Sequence, residues 1–131
     1  MHYIYAIQHN VTKKIYVGCS RNVQNRYVTH IQLLRRGNHS SKEMQEDFKQ
    51  FGEDYSVFIL EKLENENEKV RLPEFNNELL TRKTISEVKW MREYDTIKNG
   101  YNAQDLLARR VLGERKPKII APIKEGKPAK D

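Results

Sequence analysis

The side chains that could transfer protons, bind anions or hold a cation are spread along the first hundred residues of the chain. Tyr5 and Tyr16 stand in two short runs of β-branched and aromatic residues. Arg26 and His30 follow, four residues apart, and the carboxylate of Glu87 comes late. Groups of these types bind anions, transfer protons and hold cations. Each also has an ordinary interpretation, as a strand aromatic, a solvated helix pair or an exposed helix carboxylate. The elements that position them therefore matter.

The two tyrosines lie in a predicted β-hairpin. Residues 3–8 and 14–18 have strand composition, and the polar stretch HNVTKK joins them without the Asn-Gly signal of a tight turn. Pairing Tyr5 with Tyr16 places the centre of the hairpin between Asn10 and Val11. The two rings are therefore expected on one sheet face, side by side or diagonally.

A helix is predicted after the hairpin. Ser20 or Asn22 can cap its start, and Gly37 ends it. Its core-facing positions recur at helical spacing: Val23, Tyr27, Ile31 and Leu34. Arg26 and His30 share a different stripe of the same helix.

A second helix and a strand follow. Ser40 or Ser41 is the expected cap of this helix and Gly52 its end. Three apolar residues are expected to be buried in it: Met44, Phe48 and Phe51. The segment 55–63 alternates and then becomes apolar, which is typical of a central strand.

The remaining part of the body is less regular. Residues 64–84 are acidic and polar, and we expect an irregular excursion there with a short helical piece around 76–82. A helix is predicted over 84–97, with Glu87 on a face apart from its buried positions, which are Ile85, Val88 and Met91 or Trp90. Asn99-Gly100 indicates a turn.

Composition limits the chain to one domain. It has 131 residues, of which 37% are hydrophobic and 32% charged. No apolar run is long enough to span a membrane, and the first residues do not have the pattern of a secretory signal. Cys19 is the single cysteine, so an internal disulfide and a cysteine-based zinc site are excluded. A cytoplasmic location is expected.

The positive charge is concentrated at the C-terminal end. The formal net charge is +6, and residues 106–131, the basic tail, contribute +5 of it with three of the four prolines. The preceding 105 residues are nearly neutral. We therefore divide the chain into a domain over 1–105 and a Pro- and Lys-rich tail or linker over 106–131.

In order and spacing, these features resemble the GIY-YIG nuclease superfamily. The name motifs stand as Tyr3-Ile4-Tyr5 and Tyr16-Val17-Gly18, ten residues apart. The stretches YVGCSRNVQNRYVTH and SEVKWMREYDTIKNGYN are similar to its later blocks, and RRGNHSSKEMQEDFKQFGEDYSVFILEKL resembles the variant of phage intron-homing endonucleases. Tyr3 replaces the family's first glycine, a position without a catalytic group. The resemblance covers residues 3 to about 105.

The resemblance implies a fold and an activity. The fold is of the α/β (α+β) class, with a small, mainly antiparallel three-stranded sheet flanked by helices. The activity is hydrolysis of DNA phosphodiester bonds by a monomer that uses one divalent metal, Mg²⁺ or Mn²⁺.

It also implies roles for individual residues. Arg26 would bind the scissile phosphate, and Glu87 would hold the metal; Glu78 replaces it if the excursion shifts the alignment. Tyr5 would activate water, with His30 accepting or relaying its proton.

Four further positions belong to the implied site. Tyr16 would position Tyr5 or the water, and Asn102 would orient a neighbour. Gly18 would let the backbone come close to the substrate. His39 is a secondary candidate for substrate contact, or a solvated residue at a helix entry.

Two other functions fit the same sequence. One is a non-catalytic DNA-binding module on this scaffold, which plasmid nicking would distinguish. The other is a small-molecule phosphodiesterase, which the basic tail disfavours because a free nucleotide needs no extended basic segment. Homing relatives carry a linker and a separate DNA-binding domain after this module, and the tail resembles the start of such a linker.

Overall fold

A three-stranded antiparallel sheet in the order β2-β1-β3 lies at the centre of the computed structural model, which describes residues 1–102. The strands are β1 (His2–His9), β2 (Ile15–Ser20) and β3 (Tyr55–Leu63). The predicted sheet and its antiparallel pairing are confirmed. The basic tail and the proposed domain boundary at residue 105 lie outside the described residues.

The hairpin is shifted in register from the symmetric pairing predicted above. Tyr5 lies opposite Gly18 and Ile7 opposite Tyr16, so the pairing centred between Asn10 and Val11 is not the one observed. The reason lies in the loop, where Lys13 takes a left-handed conformation and the amide of His9 donates to the carbonyl of Lys14. Tyr5 and Tyr16 are therefore diagonal neighbours.

The two faces of the sheet are both covered. Tyr5 and Ile7 point to one side, where they pack with Ile31, Leu34, Met44 and Tyr101. The other side buries Ile4, Ala6, Ile15 and Val17 against Met91 and Tyr94. The alternation of side chains along β1 thus divides the core into two layers.

Two helices cover the Tyr5 side of the sheet. Helix α1 (Val23–Arg36) is capped by Asn22, and Gly37 ends it in a left-handed conformation. Helix α2 (Lys42–Phe51) is capped by Ser41. Met44 is buried as predicted, but the predicted burial of Phe51 is wrong. It is 42% exposed because it occupies the last position of α2, beside the edge of the His9 ring.

The excursion forms a second, two-stranded sheet of β4 (Lys69–Arg71) and β5 (Leu79–Thr81). A 3₁₀ turn, Pro73–Phe75, lies between the strands. The short helix predicted around 76–82 is wrong, because Asn76 and Asn77 adopt left-handed conformations that reverse the chain. This sheet contributes Phe75 and Leu80 to a third small core.

Helix α3 (Arg82–Glu93) packs on the opposite side of the central sheet from α1. The single helix predicted over 84–97 is interrupted at Asp95, whose φ of 50° is left-handed, and a short α4 (Thr96–Asn99) follows. Met91 is buried, and the partly buried Trp90 donates to Glu61. Over residues 1–102, no helix is long and apolar enough to cross a bilayer.

Candidate active site

Tyr5 lies at the centre of the candidate site, on the middle strand β1. Its side chain is only 1% exposed, and its ring lies directly over Gly18 of β2. A Cβ atom at position 18 would be 2.4 Å from the Tyr5 hydroxyl oxygen, so the ring occupies the space that any other residue would fill. The structure therefore gives Gly18 a packing role beneath Tyr5.

Helix α1 brings a histidine to the Tyr5 hydroxyl. The Oη atom of Tyr5 is 2.9 Å from Nε2 of His30, and both groups are buried. Arg26 lies one helical turn earlier on the same stripe and is exposed. Its guanidinium opposes the effect of burial on the Tyr5 pKa, so it lies close to the hydroxyl. The predicted proximity of Tyr5, Arg26 and His30 is therefore observed.

Tyr16 lies diagonally across from Tyr5, as the sequence allowed. Its ring centroid is 6.4 Å from that of Tyr5 and 4.6 Å from that of His30, in an edge-on arrangement with the imidazole. Aromatic pairs of this geometry hold each other's orientation. Tyr16 therefore packs edge-on against the ring of His30.

His39 lies behind His30, in the linker between α1 and α2. Its Nε2 atom is 2.7 Å from Nδ1 of His30, and its Nδ1 atom accepts a hydrogen bond from the amide of Ser41. The side chain is buried. Both ring nitrogens are thus engaged within the protein, and the expected substrate contact of His39 has no free nitrogen to make it.

Glu87 reaches the site from α3, on the far side of the sheet. The half-buried carboxylate raises the pKa of Tyr5, although less than burial does. Burial and then Glu87 raise the pKa of the Cys19 thiol to about 11. Glu87 thus lies near the edge of β2, close to both groups. Glu78, the alternative ligand, lies directly before β5 of the second sheet.

Asn102 binds the backbone of β2. Its side-chain oxygen accepts from the amide of Val17, and its amide nitrogen donates to the Val17 carbonyl, both at 2.9 Å. Val17 lies between Tyr16 and Gly18, so Asn102 fixes the strand on which both residues stand. These contacts are with the backbone, and the predicted role of Asn102, to orient a neighbour at the site, stays a prediction.

The approach of Asn102 to β2 depends on Gly100. A Cβ atom there would lie 2.7 Å from the carbonyl oxygen of Ile15, which the amide of Tyr101 bonds. Gly100, in the turn predicted at Asn99-Gly100, therefore lets the chain pass close enough to β2 for this hydrogen bond.

Burial sets the protonation of the two central groups. It raises the pKa of Tyr5 well above its ordinary value, and Tyr16 adds to the effect while Arg26 opposes it. Burial, followed by the charges of His39 and Arg26, lowers the pKa of His30 to about 3. At neutral pH the pair therefore consists of a phenol and an uncharged imidazole.

One contributor to the site has no signal in the sequence. Gln45 of α2 accepts from the amide of His39 at 3.1 Å and donates to the carbonyl of Leu34 at 2.9 Å. It holds the linker against the end of α1. A glutamine on a polar helix face belongs to no motif, so only the packing of the two helices identifies it.

Comparisons with known proteins agree with this geometry. Residues 1–102 match the family described as the GIY-YIG catalytic domain. Intron-associated endonuclease 1 of Enterobacteria phage T4 is 28% identical over 102 residues, which are 78% of this chain. Those residues correspond to 36% of the phage protein, so the chain spans about a third of that relative.

Two solved structures are similar over 80% of this chain. The catalytic domain of homing endonuclease I-TevI is 26% identical, with a TM-score of 0.62 and all of that chain covered. A mutant of the catalytic domain of intron endonuclease I-TevI is 25% identical, with a TM-score of 0.58 and 96% of that chain covered.

Proposed function

The chain belongs to the GIY-YIG family of nucleases, and on that premise we propose that it cleaves DNA by hydrolysis of phosphodiester bonds, with Tyr5 as the group that activates water. The observation that supports this most directly is the buried 2.9 Å contact between Tyr5 and His30 beside the exposed Arg26. The endonuclease relatives and the +5 charge of the basic tail support a polyanionic substrate.

Arg26 binds the scissile phosphate in this proposal. Its guanidinium stays charged at every working pH and can donate two parallel hydrogen bonds to phosphate oxygens. Since it projects from α1 beside Tyr5, a phosphate held there presents its phosphorus to the tyrosine hydroxyl. Arg26 also favours the phenolate form of Tyr5 through its charge.

Tyr5 acts as the base. The Tyr5 hydroxyl first loses its proton to solvent, and the phenolate oxygen then takes a proton from the attacking water molecule. The water oxygen forms the new bond to phosphorus, the bond from phosphorus to the 3′ oxygen breaks, and the leaving oxygen takes a proton from solvent. Tyr16 keeps the ring and the imidazole in place. The low exposure of Tyr5 means that the phenolate must be stabilised locally, because burial alone keeps the hydroxyl protonated.

Glu87 is the proposed ligand of a divalent cation. The residues of 1–102 contain no cluster of three or more potential metal-binding side chains, and a single carboxylate completed by water suits Mg²⁺ or Mn²⁺ better than it suits zinc. Glu87 fits this role because it is half-buried and close to Tyr5. When bound, such a cation stabilises charge on the phosphate and on the leaving oxygen.

The proposal is tested with Tyr5→Phe in a single-turnover plasmid cleavage assay containing Mg²⁺ or Mn²⁺. The variant keeps the ring and its packing, so the melting temperature and DNA affinity should change little. Loss of a general base should slow the chemical step by roughly 10²- to 10⁴-fold. Tyr3→Phe is the matched control, because the Tyr3 hydroxyl lies outside the site and donates to Met1.

Two results would contradict the proposal. If the wild-type chain binds DNA but never cleaves it with either metal, it acts as the DNA-binding module considered above. If Tyr5→Phe cleaves as fast as Tyr3→Phe, Tyr5 is a packing residue and another group activates water.

A further inference from the structure

A continuous chain of hydrogen-bonding groups runs behind the Tyr5 hydroxyl. It passes from Tyr5 Oη to His30 Nε2 at 2.9 Å, then from His30 Nδ1 to His39 Nε2 at 2.7 Å. It ends at the backbone amide of Ser41, 2.9 Å from His39 Nδ1. All three contacts are buried, so water does not compete for them.

The last group determines the direction of the whole chain. A backbone amide can only donate, so Nδ1 of His39 must carry a lone pair and no proton. The proton of neutral His39 is then on Nε2, which donates to Nδ1 of His30. His30 in turn carries its proton on Nε2 and donates to the oxygen of Tyr5.

The reverse direction is excluded by valence. If Tyr5 donated to His30, the imidazole proton would sit on Nδ1 and point at His39. His39 would then have to accept on both nitrogens and carry no proton at all, as an imidazolate. Burial lowers the pKa of both histidines, that of His30 to about 3, so neither ring is charged at neutral pH.

We propose that His39, anchored by the Ser41 amide, is a positioning residue that holds His30 in the tautomer that donates to Tyr5. This inference rests on the proposed function, because it assigns a role in the activation of Tyr5. The same direction revises the role expected for His30. A ring that donates to the Tyr5 oxygen stabilises the phenolate and does not accept the phenol proton.

The segment that connects α1 to α2 holds His39 in place by several contacts. His39 is fixed at three points: its ring on both sides and its amide by Gln45, which also bonds the carbonyl of Leu34 at the end of α1. Ser41 serves twice, since its amide donates to His39 while its hydroxyl caps α2. The start of α2 therefore sets the position of the amide that orients the two rings.

Long-range ¹H–¹⁵N correlation spectra of the histidine rings test the tautomers directly. In the intact wild-type chain at neutral pH, His30 and His39 should each show a protonated Nε2 and an unprotonated Nδ1. The signals are assigned from the spectra of His2→Leu, His30→Gln and His39→Gln, which leave His9 as the fourth histidine. This measurement does not depend on cleavage.

Two substitutions at position 39 then test the consequence for His30. His39→Leu removes the donor, so His30 should change from one tautomer to a mixture, and cleavage should slow by roughly 10- to 100-fold, as for loss of a group that orients a functional histidine. His39→Gln retains an amide donor and should recover much of the rate. His2→Leu is the control, since His2 bonds Glu66 away from this chain of contacts.

Each failure has a distinct signature. A protonated Nδ1 on His30 or His39 in the wild-type spectrum overturns the inference, whatever the activity. Cleavage by folded His39→Leu at the wild-type rate removes His39 as a positioning residue while the proposed function stands. A wild-type chain that does not cleave DNA at all refutes the proposed function, and with it the catalytic meaning of the tautomers.

Discussion

Burial raises the pKa of Tyr5, and this opposes the role of base proposed for it. In the proposed mechanism three features would compensate: the Arg26 guanidinium, the hydrogen bond proposed from His30 and a cation held by Glu87. Each stabilises negative charge on or near the hydroxyl oxygen. Burial also strengthens these electrostatic contacts, because water is largely excluded from the site.

Substituting Glu87 and Glu78 in parallel shows which of the two carboxylates holds the metal. Glu87→Ala should reduce magnesium-dependent cleavage by roughly 10²-fold or more, the effect of losing a group that stabilises charge in the transition state. The fold should survive, because the carboxylate is half-buried on the surface of α3. Glu78→Ala makes the same chemical change in the second sheet and should cleave normally. If both variants cleave at the wild-type rate, Glu87 is not the metal ligand. If only Glu78→Ala loses activity, Glu78 is the metal ligand instead of Glu87.

Most of the candidate residues could be identified from the sequence, but their contacts could not. Tyr5, Arg26 and His30 were found by type and order, and the structure brings them together. His39 was a secondary candidate for substrate contact, or else a solvated residue at a helix entry, and the structure buries it behind His30. Its position is set by contacts with His30, Gln45 and the amide of Ser41, which only the packing of α1 against α2 brings together.

The pairing of β1 with β2 determines what lies beneath Tyr5. A shift of the register by one residue would turn every side chain of one strand to the other face of the sheet. The observed register sets Gly18 directly opposite Tyr5. The symmetric pairing inferred from the sequence did not anticipate this, because the loop conformation at Lys13 fixes the register and a loop without an Asn-Gly pair does not specify its own turn.

Gly18→Ala tests whether this pairing positions the hydroxyl. A methyl group would lie 2.4 Å from Oη and 2.5 Å from Cζ of Tyr5, so the ring must move. Cleavage should fall by about 10²-fold, as for a misplacement of about 1 Å in a catalytic group. Gly37→Ala is the control for stability, because φ is 75° there and no atom lies within 4 Å of the added carbon. If Gly18→Ala and Gly37→Ala cleave at similar rates, the close contact with Tyr5 is not needed.

The second sheet shows where element prediction from this sequence is weakest. Its strands are three residues each and pair only with each other. Strands that short carry too few alternations to be recognised. By contrast, α1 and α2 could be predicted with their ends, since Asn22, Ser41 and Gly37 are residues with specific capping functions.

The whole molecule brings groups from both faces of one sheet to one edge. Tyr5 and His30 lie on the side of α1, while Glu87 comes from α3 on the opposite side. Strand β2 is the edge strand around which the two sides meet. Asn102 and the amide of Tyr101 cover that edge with hydrogen bonds. The last described residues thus support the site from behind β2.

From the charge distribution we predict that DNA affinity and cleavage depend on different parts of the chain. Residues 1–105 are almost neutral, and the basic tail carries most of the net charge. Removing the residues after Leu112 deletes six Lys and Arg residues and should weaken DNA binding. If all six contact phosphates, the negative slope of log K against log salt concentration should become smaller in magnitude by roughly 5.

The same expectation can be tested at constant length. Replacing those six Lys and Arg residues with Gln should weaken binding as truncation does, because the contribution comes from charge. The melting temperature should not change in either variant, since the cores described above lie within residues 1–102. Titrations at several salt concentrations decide the matter. An unchanged slope in both variants would show that the tail is not an electrostatic DNA-binding segment, whereas weaker binding on truncation alone would assign its contribution to contacts other than charge.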